Sequence, residues 1–315
     1  MNSRLFLILF LMLLLAKGHA QTPGLSKADS VAIATGKADS LSIADLTYRL
    51  TAPFDDPVLK TRAIFTWIAY NISYDCPAYH NESKRKGDPD EIFRTRKGVC
   101  EGYANLFQTM CSYAQVQCLT IDGYARNGAD IYEDDPDEPN HTWNAVRING
   151  AWHLADATWA SGYTDKRVKV FTQHFSDVYF FPAPEAMLLN HYPKLDSWRL
   201  CKVNVSKKGF FQHPAVSYGF LKMGGASFDP VIKKINVKKG SPLNFSITFR
   251  DAALIHRVTL LLGEDKKAVQ FDPPIEKKDN SISFSIKYDK PGAWPLTIYI
   301  NDLPALTYQL ETAAE

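Results

Sequence analysis

The dipeptide Asn149-Gly150 is the feature that most strongly constrains how this chain folds. Asn-Gly is the preferred sequence of a two-residue β-hairpin turn, because both positions of that turn need a positive φ. The runs on either side, His141–Ile148 and Ala151–Thr158, have the character of strands. The sequence therefore predicts an antiparallel hairpin over residues 141–158.

The register of this hairpin brings a histidine and a carboxylate together. If pairing is counted outward from the turn, Trp143 lies opposite Asp156 and His141 lies opposite Thr158. Side chains alternate between the two faces of a sheet, so these four residues are predicted to share one face. His141 and Asp156 are then diagonal neighbours, about 7–8 Å apart at the backbone, and the ring can reach the carboxylate.

A helix is predicted to begin near Cys100, just after Lys97-Gly98. The stripe that follows at helical spacing contains Tyr103, Ala104, Phe107, Met110 and Cys111. Free N–H groups and the positive end of the helix favour a thiolate at its first residue. An ordinary thiol has a pKa of about 8.5, and a neighbouring imidazolium can lower it to roughly 3–4. A histidine and an orienting carboxylate would therefore turn Cys100 into a nucleophile.

Each of these three residues also has a structural interpretation. A cysteine at the start of a helix is usually structural, and a histidine in a strand is more often a packing or surface residue. An aspartate after a strand often only begins a turn. From the residues alone, a Cys100–His141–Asp156 triad and three unrelated structural roles both stay open.

The segments around these residues give a partly helical pattern. Residues 21–52 are weakly helical, and residues 76–97 are predicted as a loop with a short helix near Asp90–Arg94. Cys118–Tyr124 is predicted as a strand, and Gly128–Asn140 as an acidic loop. That loop could bind calcium but lacks the ordered carboxylate spacing of such sites, so a solvated loop is favoured. A helix with Pro57 in its first turn is predicted to bury one face, formed by Leu59, Ala63, Trp67 and Tyr70.

The chain changes character after about Cys201, where short strands alternate with turn sequences. This pattern is typical of an all-β sandwich, for which we predict an immunoglobulin-like arrangement. The predicted strands are Asn244–Phe249, Arg257–Leu262, Ser281–Tyr288 and Trp294–Asn301.

The first twenty residues have the order of a secretory signal peptide. Arg4 precedes an unbroken apolar run, Leu5–Leu15, and Gly18-His19-Ala20 offers small residues at a cleavage site. The run is too short for a membrane span, which needs about 20 apolar residues. We therefore expect a mature chain that begins at Gln21, has no membrane span and is secreted or periplasmic.

The net charge and the cysteine content limit the possible partners and the possible disulfides of this chain. The formal net charge is +2, which argues against a nucleic-acid partner. The 5 cysteines are too few to replace a hydrophobic core. If Cys100 is catalytic, the other four form either two disulfides or four buried thiols: Cys76, Cys111, Cys118 and Cys201.

Three segments together resemble the transglutaminase-like superfamily, over about residues 55–160: AIFTWIAYNISYD, KGVCEGYANLFQTMCSYAQVQCLTIDGYAR and HTWNAVRINGAWHLADATWA. A later stretch, DVYFFPAPEAMLLNHYPKLDSW, resembles a segment that follows the core in the kyphoscoliosis peptidase branch. A β-rich tail also fits that branch.

The resemblance implies an α+β fold with a papain-like core, in which helices pack on an antiparallel sheet. It implies Cys100 as the nucleophile, His141 as the general base and acid, and Asp156 as the orienting acid. Tyr103 and Trp143, beside the nucleophile and the base, are expected to pack. Neither a metal nor another cofactor is implied.

The expected organisation is a signal peptide at 1–20, a transglutaminase-like catalytic domain at 21–200 and a β sandwich at 205–315. We expect an exported acyl-transfer enzyme whose partner is a peptide or protein substrate and whose reaction is hydrolysis. A cross-linking transglutaminase and a non-catalytic binding protein built on the same core are the alternatives.

Overall fold

A computed structural model describes residues 23–128, 131, 135–238, 240–263, 268–288 and 291–312. The predicted signal peptide, residues 1–20, lies outside these ranges. Within them, no helix is both long and apolar enough to cross a membrane.

The helices of the described ranges are α1 (Pro23–Thr35), α2 (Ile43–Thr51), α3 (Pro57–Asn71), α4 (Cys76–Tyr79), α5 (Pro89–Thr95), α6 (Cys100–Tyr113), α7 (Ala157–Ser161), α8 (Pro184–Met187), α9 (Lys207–Gln212) and α10 (Tyr218–Lys222). Short 3-10 helices lie at Glu82–Lys84, Asp177–Tyr179, Asp196–Arg199 and Ala252–Leu254.

The strands of the N-terminal part are β1 (Ser73–Tyr74), β2 (Lys97–Gly98), β3 (Gln117–Ala125), β4 (His141–Ile148), β5 (Ala151–Ala155), β6 (Gly162–Thr164), β7 (Phe171–Gln173) and β8 (His191–Pro193). Those of the C-terminal part are β9 (Ala215–Val216), β10 (Gly225–Asp229), β11 (Lys234–Val237), β12 (Pro242–Phe249), β13 (Val258–Leu262), β14 (Val269–Phe271), β15 (Glu276–Lys278), β16 (Ser281–Lys287), β17 (Gly292–Ile300) and β18 (Leu303–Thr312).

The predicted hairpin, β4 and β5, forms one half of a four-stranded antiparallel sheet with the order β5-β4-β3-β8. Asn149 and Gly150 both have positive φ, 50° and 83°, and Ile148 pairs with Ala151 as predicted. Strand β5 nevertheless ends at Ala155. The prediction of a strand as far as Thr158 is wrong, because the next residue caps a helix instead of continuing the ladder.

Helix α3 is more deeply buried than the predicted single face allows. Every residue from Thr61 to Ala69 is buried, since α1, α2, α6 and α7 all pack around this helix. Trp67 lies in the core as predicted, but Tyr70 at the end of the helix is 41% exposed. The predicted position of the helix is confirmed, but the prediction that Tyr70 belongs to its buried face is wrong.

Other local predictions agree with the structure. The weakly helical region 21–52 contains α1 and α2, and the short helix expected near Asp90–Arg94 is α5.

All five cysteines are free thiols. The structure therefore contains four thiols besides Cys100 and not two disulfides.

The C-terminal part is a β sandwich with its own core. One sheet has the order β10-β12-β16-β15, and the other has the order β11-β18-β17-β13-β14, with β9 also paired to β18. The rings of Phe245 and Tyr308, one from each sheet, meet at 5.3 Å. All four predicted strands are present, within two residues at each end. Helices α9 and α10 lie on either side of β9, so the prediction of an all-β region from residue 205 is wrong at Lys207–Gln212 and Tyr218–Lys222; the immunoglobulin-like arrangement stays a prediction.

A buried ion pair joins the first helix to α3. Arg62 donates from Nε and a terminal nitrogen to both oxygens of Asp29, at 2.7 and 2.9 Å. The guanidinium also lies over the rings of Phe175 and Phe180, at 5.3 and 5.0 Å. Because Arg62 is nearly inaccessible to water, it depends on Asp29 for compensation of its charge.

We expect Asp29→Ala to lower the free energy of unfolding by about 2–4 kcal/mol, because it leaves a buried guanidinium unpaired. The range is below that of a fully buried pair, since the Asp29 side chain is 25% exposed. Urea unfolding followed by circular dichroism measures the change. Glu82→Ala is the matched control, because Glu82 pairs with Arg85 at 86% exposure and should change stability by less than about 1 kcal/mol. Equal losses in the two variants would contradict the role given to Asp29.

Candidate active site

Cys100 is the first residue of α6, as the sequence predicts. The preceding residue, Val99, provides no side-chain cap, so the N–H groups of the first turn have no capping side chain. Strand β2 fixes the approach of the chain, because its parallel pairing with β1 places Gly98 beside Tyr74. The half-buried thiol therefore lies at the positive end of a 14-residue helix.

His141 begins β4 and connects the thiol to a carboxylate. Its Nε2 lies 2.7 Å from Oδ2 of Asp156, which confirms that the ring reaches that side chain. The same ring and the backbone of Thr142 stabilise the ionised form of the Cys100 thiol. Because Nε2 faces Asp156, Nδ1 is the ring nitrogen left for the sulfur. The structure thus brings together all three residues that the sequence singled out.

Asp156 lies at the junction of strand and helix. It is the N-cap of α7, and its Oδ1 accepts hydrogen bonds from the backbone N–H groups of Thr158 and Trp159, at 2.8 and 3.0 Å. Thr158 therefore belongs to the helix and does not lie opposite His141 in the sheet. The strand prediction failed here because a carboxylate can satisfy two N–H groups of a helix start, and that favours a helix over a further ladder pair.

A second histidine, His191, contacts Asp156 and was missed by sequence reasoning. Its Nε2 lies 3.0 Å from Oδ2, the same oxygen that His141 uses. It begins β8 and pairs with Ala125 of β3, so the sheet places it there. The sequence contains eight histidines, and a three-residue strand gives no signal that would have selected this one.

Burial and charge oppose each other throughout this cluster. Burial raises the pKa of Cys100, but the hydrogen bond and charge of His141 outweigh it, so this pKa lies below its ordinary value. Burial lowers the pKa of His141, yet Asp156 and then Cys100 raise it to about 10. Burial likewise opposes ionisation of Asp156, whereas His141 and His191 hold its pKa well below its usual range. The favoured resting state is a thiolate, an imidazolium and a carboxylate.

Aromatic rings enclose the two histidines. The Trp143 and Trp159 rings lie 6.0 and 5.6 Å from the His141 ring. A side chain at Gly123, which pairs with His141, would collide with Trp143 and with the Tyr192 carbonyl. Trp143 is almost completely buried, which confirms its expected packing role.

Tyr103, on the first turn of α6, is also buried. Its hydroxyl donates to the Ile72 carbonyl at 2.7 Å, away from the reacting groups. The packing role expected for this residue is confirmed as well.

One metal ion would fit the spacing of the cluster, since His141 Nε2, Asp156 Oδ2 and His191 Nε2 lie within 4.8 Å of one another. At 2.7 and 3.0 Å, both nitrogens are at hydrogen-bond distance from the oxygen. A metal ion held by all three would replace the protons between them, and His141 would lose the bond that orients its ring. The geometry therefore favours a hydrogen-bonded cluster over a metal centre.

In the described part of the acidic loop before His141, two carboxylates lie close to lysines. Asp135 pairs with Lys207 at 2.8 Å, and Glu138 lies 4.0 Å from Lys194. These pairs support the solvated, ion-paired loop over a calcium site.

Comparison with known proteins finds similarity over part of this chain. Residues 44–157 match the family model of the transglutaminase-like superfamily. Human kyphoscoliosis peptidase is 35% identical over 182 residues, which cover 58% of this chain and 28% of that protein. Hillarin from Drosophila melanogaster is 26% identical over 211 residues, 62% of this chain and 25% of that protein. A crystal structure of a TGase overlaps 45% of this chain and 34% of its own, at 14% identity and a TM-score of 0.29. The chain thus spans about a quarter of the length of these two curated relatives.

We expect iodoacetamide alkylation of Cys100 to slow less between about pH 8 and about pH 6 than alkylation of an ordinary thiol. Its lowered pKa keeps more of the thiolate populated as the pH falls, whereas the rate of an ordinary thiol drops roughly 100-fold over this range. Peptide mapping after timed alkylation gives the rate at each cysteine. Cys111 is the internal control, because burial and the neighbouring Cys118 raise its pKa and it should stay unmodified.

The matched variant is His141→Gln, which removes the imidazolium and should give Cys100 the pH profile of an ordinary thiol. A wild-type rate that rises steeply up to pH 9 would contradict the ion pair.

Proposed function

This chain carries a transglutaminase-like domain at residues 44–157, and we propose that it is an acyl-transfer enzyme that hydrolyses peptide or protein amides. Cys100 is the nucleophile, His141 is the general base and acid, and Asp156 orients His141. The observation that carries the proposal is that the His141 ring, which lowers the pKa of the Cys100 thiol, is held by a buried carboxylate 2.7 Å from its Nε2.

The residues support a two-step reaction. The Cys100 thiolate attacks the amide carbonyl carbon, and the backbone N–H of Cys100 is the candidate donor to the oxyanion. His141 gives the proton on Nδ1 to the leaving amine as the C–N bond breaks, and a thioester remains. Water then attacks the thioester while His141 accepts its proton, and the sulfur leaves as thiolate. Asp156 stays ionised throughout and stabilises the imidazolium.

Hydrolysis is favoured over cross-linking by the relative named as a peptidase, which shares 35% identity over 182 residues. The thioester itself is compatible with both outcomes, since an amine in place of water gives cross-linking. Which acceptor reacts depends on how the bound substrate excludes water.

The reaction is tested by comparing the wild type with Cys100→Ala on peptides, and on glutamine donors with amine acceptors. We expect amine release from peptides in the wild type and a loss of at least about 10³-fold in the variant, because nothing replaces the bond-forming atom. Cys111→Ala is the matched control, since Cys111 is buried on α6; it should cost stability and keep turnover.

Activity retained in Cys100→Ala would end the cysteine-enzyme proposal. Amine incorporation without peptide hydrolysis would overturn only the hydrolytic part.

The proposed site of action is outside the cytoplasm. The support is the apolar run Leu5–Leu15 followed by Gly18-His19-Ala20. N-terminal sequencing of protein recovered from the culture medium or periplasm should begin at Gln21. A chain that begins at Met1 there, or one retained in the cytoplasm, would contradict export.

A further inference from the structure

His191 shares an oxygen of the candidate triad with His141. Both Nε2 atoms lie within hydrogen-bond distance of Asp156 Oδ2, at 2.7 Å for His141 and 3.0 Å for His191. The two rings lie 5.3 Å apart, and the His191 side chain has no exposed surface. We propose that His191 is a positioning residue of the active site, which acts through Asp156 to fix the carboxylate that orients His141. This inference rests on the proposed function.

His191 holds the carboxylate from an element that the other donors do not use. His141 donates from β4, and the Thr158 and Trp159 backbones donate from α7. His191 donates from β8, at the far side of β3 from β4. Without His191, only the donors from the hairpin and α7 would oppose rotation of the Asp156 carboxylate about its Cβ–Cγ bond.

Packing leaves the His191 ring little freedom. The Trp159, Trp143 and Tyr179 rings lie 4.5, 5.2 and 6.1 Å from it. Its Nδ1 is 2.7 Å from the Asn190 side chain. If the His191 ring only filled the core, it would not need a nitrogen directed at Asp156, because an apolar residue of the same size would pack equally well.

Burial and the neighbouring charges favour the neutral state of the His191 ring. The titratable groups that face it are His141 from β4, Asp156 at the start of α7, and Tyr179 from the 3-10 helix. Burial and the nearby His141 lower its pKa, Asp156 raises it, and the result is about 4. At neutral pH it therefore donates one proton, from Nε2, to Asp156. Nδ1 is then an acceptor, whereas the Asn190 atom 2.7 Å from it is Oδ1, so the Asn190 amide has to turn by half a rotation to present its N–H to a neutral His191 ring.

Two variants separate donation from packing. In His191→Gln the amide nitrogen lies near the position of Nε2 and still donates to Asp156. In His191→Met the side chain fills a similar volume but has no donor. Asp156→Asn is the reference for a triad without its orienting charge.

The first readout needs no substrate: the pH dependence of Cys100 alkylation. We expect His191→Met to move the midpoint towards higher pH by about one unit, because loss of a hydrogen bond to a charged group weakens the support of the imidazolium. The second readout is amide hydrolysis, where His191→Met should lower kcat about 10–100-fold and change KM less than about twofold. His191→Gln should stay within about threefold of the wild type in kcat and keep its alkylation profile.

The inference is overturned if folded His191→Met has the alkylation profile and kcat of the wild type. It is also overturned if Gln and Met impair the enzyme equally, since the role would then be packing. If His191→Met does not fold, folded His191→Gln decides: a wild-type profile supports the inference and a shifted profile overturns it. An ordinary thiol profile in the wild type itself would overturn the proposed function, and the role of His191 with it.

Discussion

The buried carboxylate of Asp156 is the group on which the site depends. An isolated carboxylate at 1% exposure would cost several kcal/mol. Four N–H donors offset that cost: the Thr158 and Trp159 backbones at Oδ1, and His141 and His191 at Oδ2. Because these donors come from a hairpin strand, a helix start and an edge strand, the register of all three elements must be correct before the charge can be buried.

The part of the site that depends on local rules could be predicted from the sequence. The Asn149-Gly150 turn fixes the register of β4 and β5, and that register brings the start of β4 near the end of β5, where His141 reaches Asp156. Helical spacing likewise placed Cys100 at a helix start. These features needed only turn chemistry and side-chain period, which are properties of short segments.

The rest depends on tertiary contacts that leave no local signal. His191 lies 35 residues after Asp156 and reaches it because β8 pairs with β3. Thr158 was misplaced because a capping side chain, and not the strand pattern, decides where β5 ends. Tyr70 was predicted to be buried because its spacing is helical, but the helix projects it past the packed elements into water. In each case the deciding interaction joins residues that periodicity treats separately.

The protonation state of His141 shows whether Cys100 and His141 form a thiolate–imidazolium pair, held by Asp156, before substrate binds. The ring nitrogen shifts of His141 can be followed by NMR across neutral pH in the wild type and in Cys100→Ser. The pKa of about 10 predicts a ring with protons on both nitrogens at neutral pH in the wild type, and a lower pKa once the thiolate is gone. A neutral ring with a single proton in the wild type at pH 7 would show that no such ion pair exists.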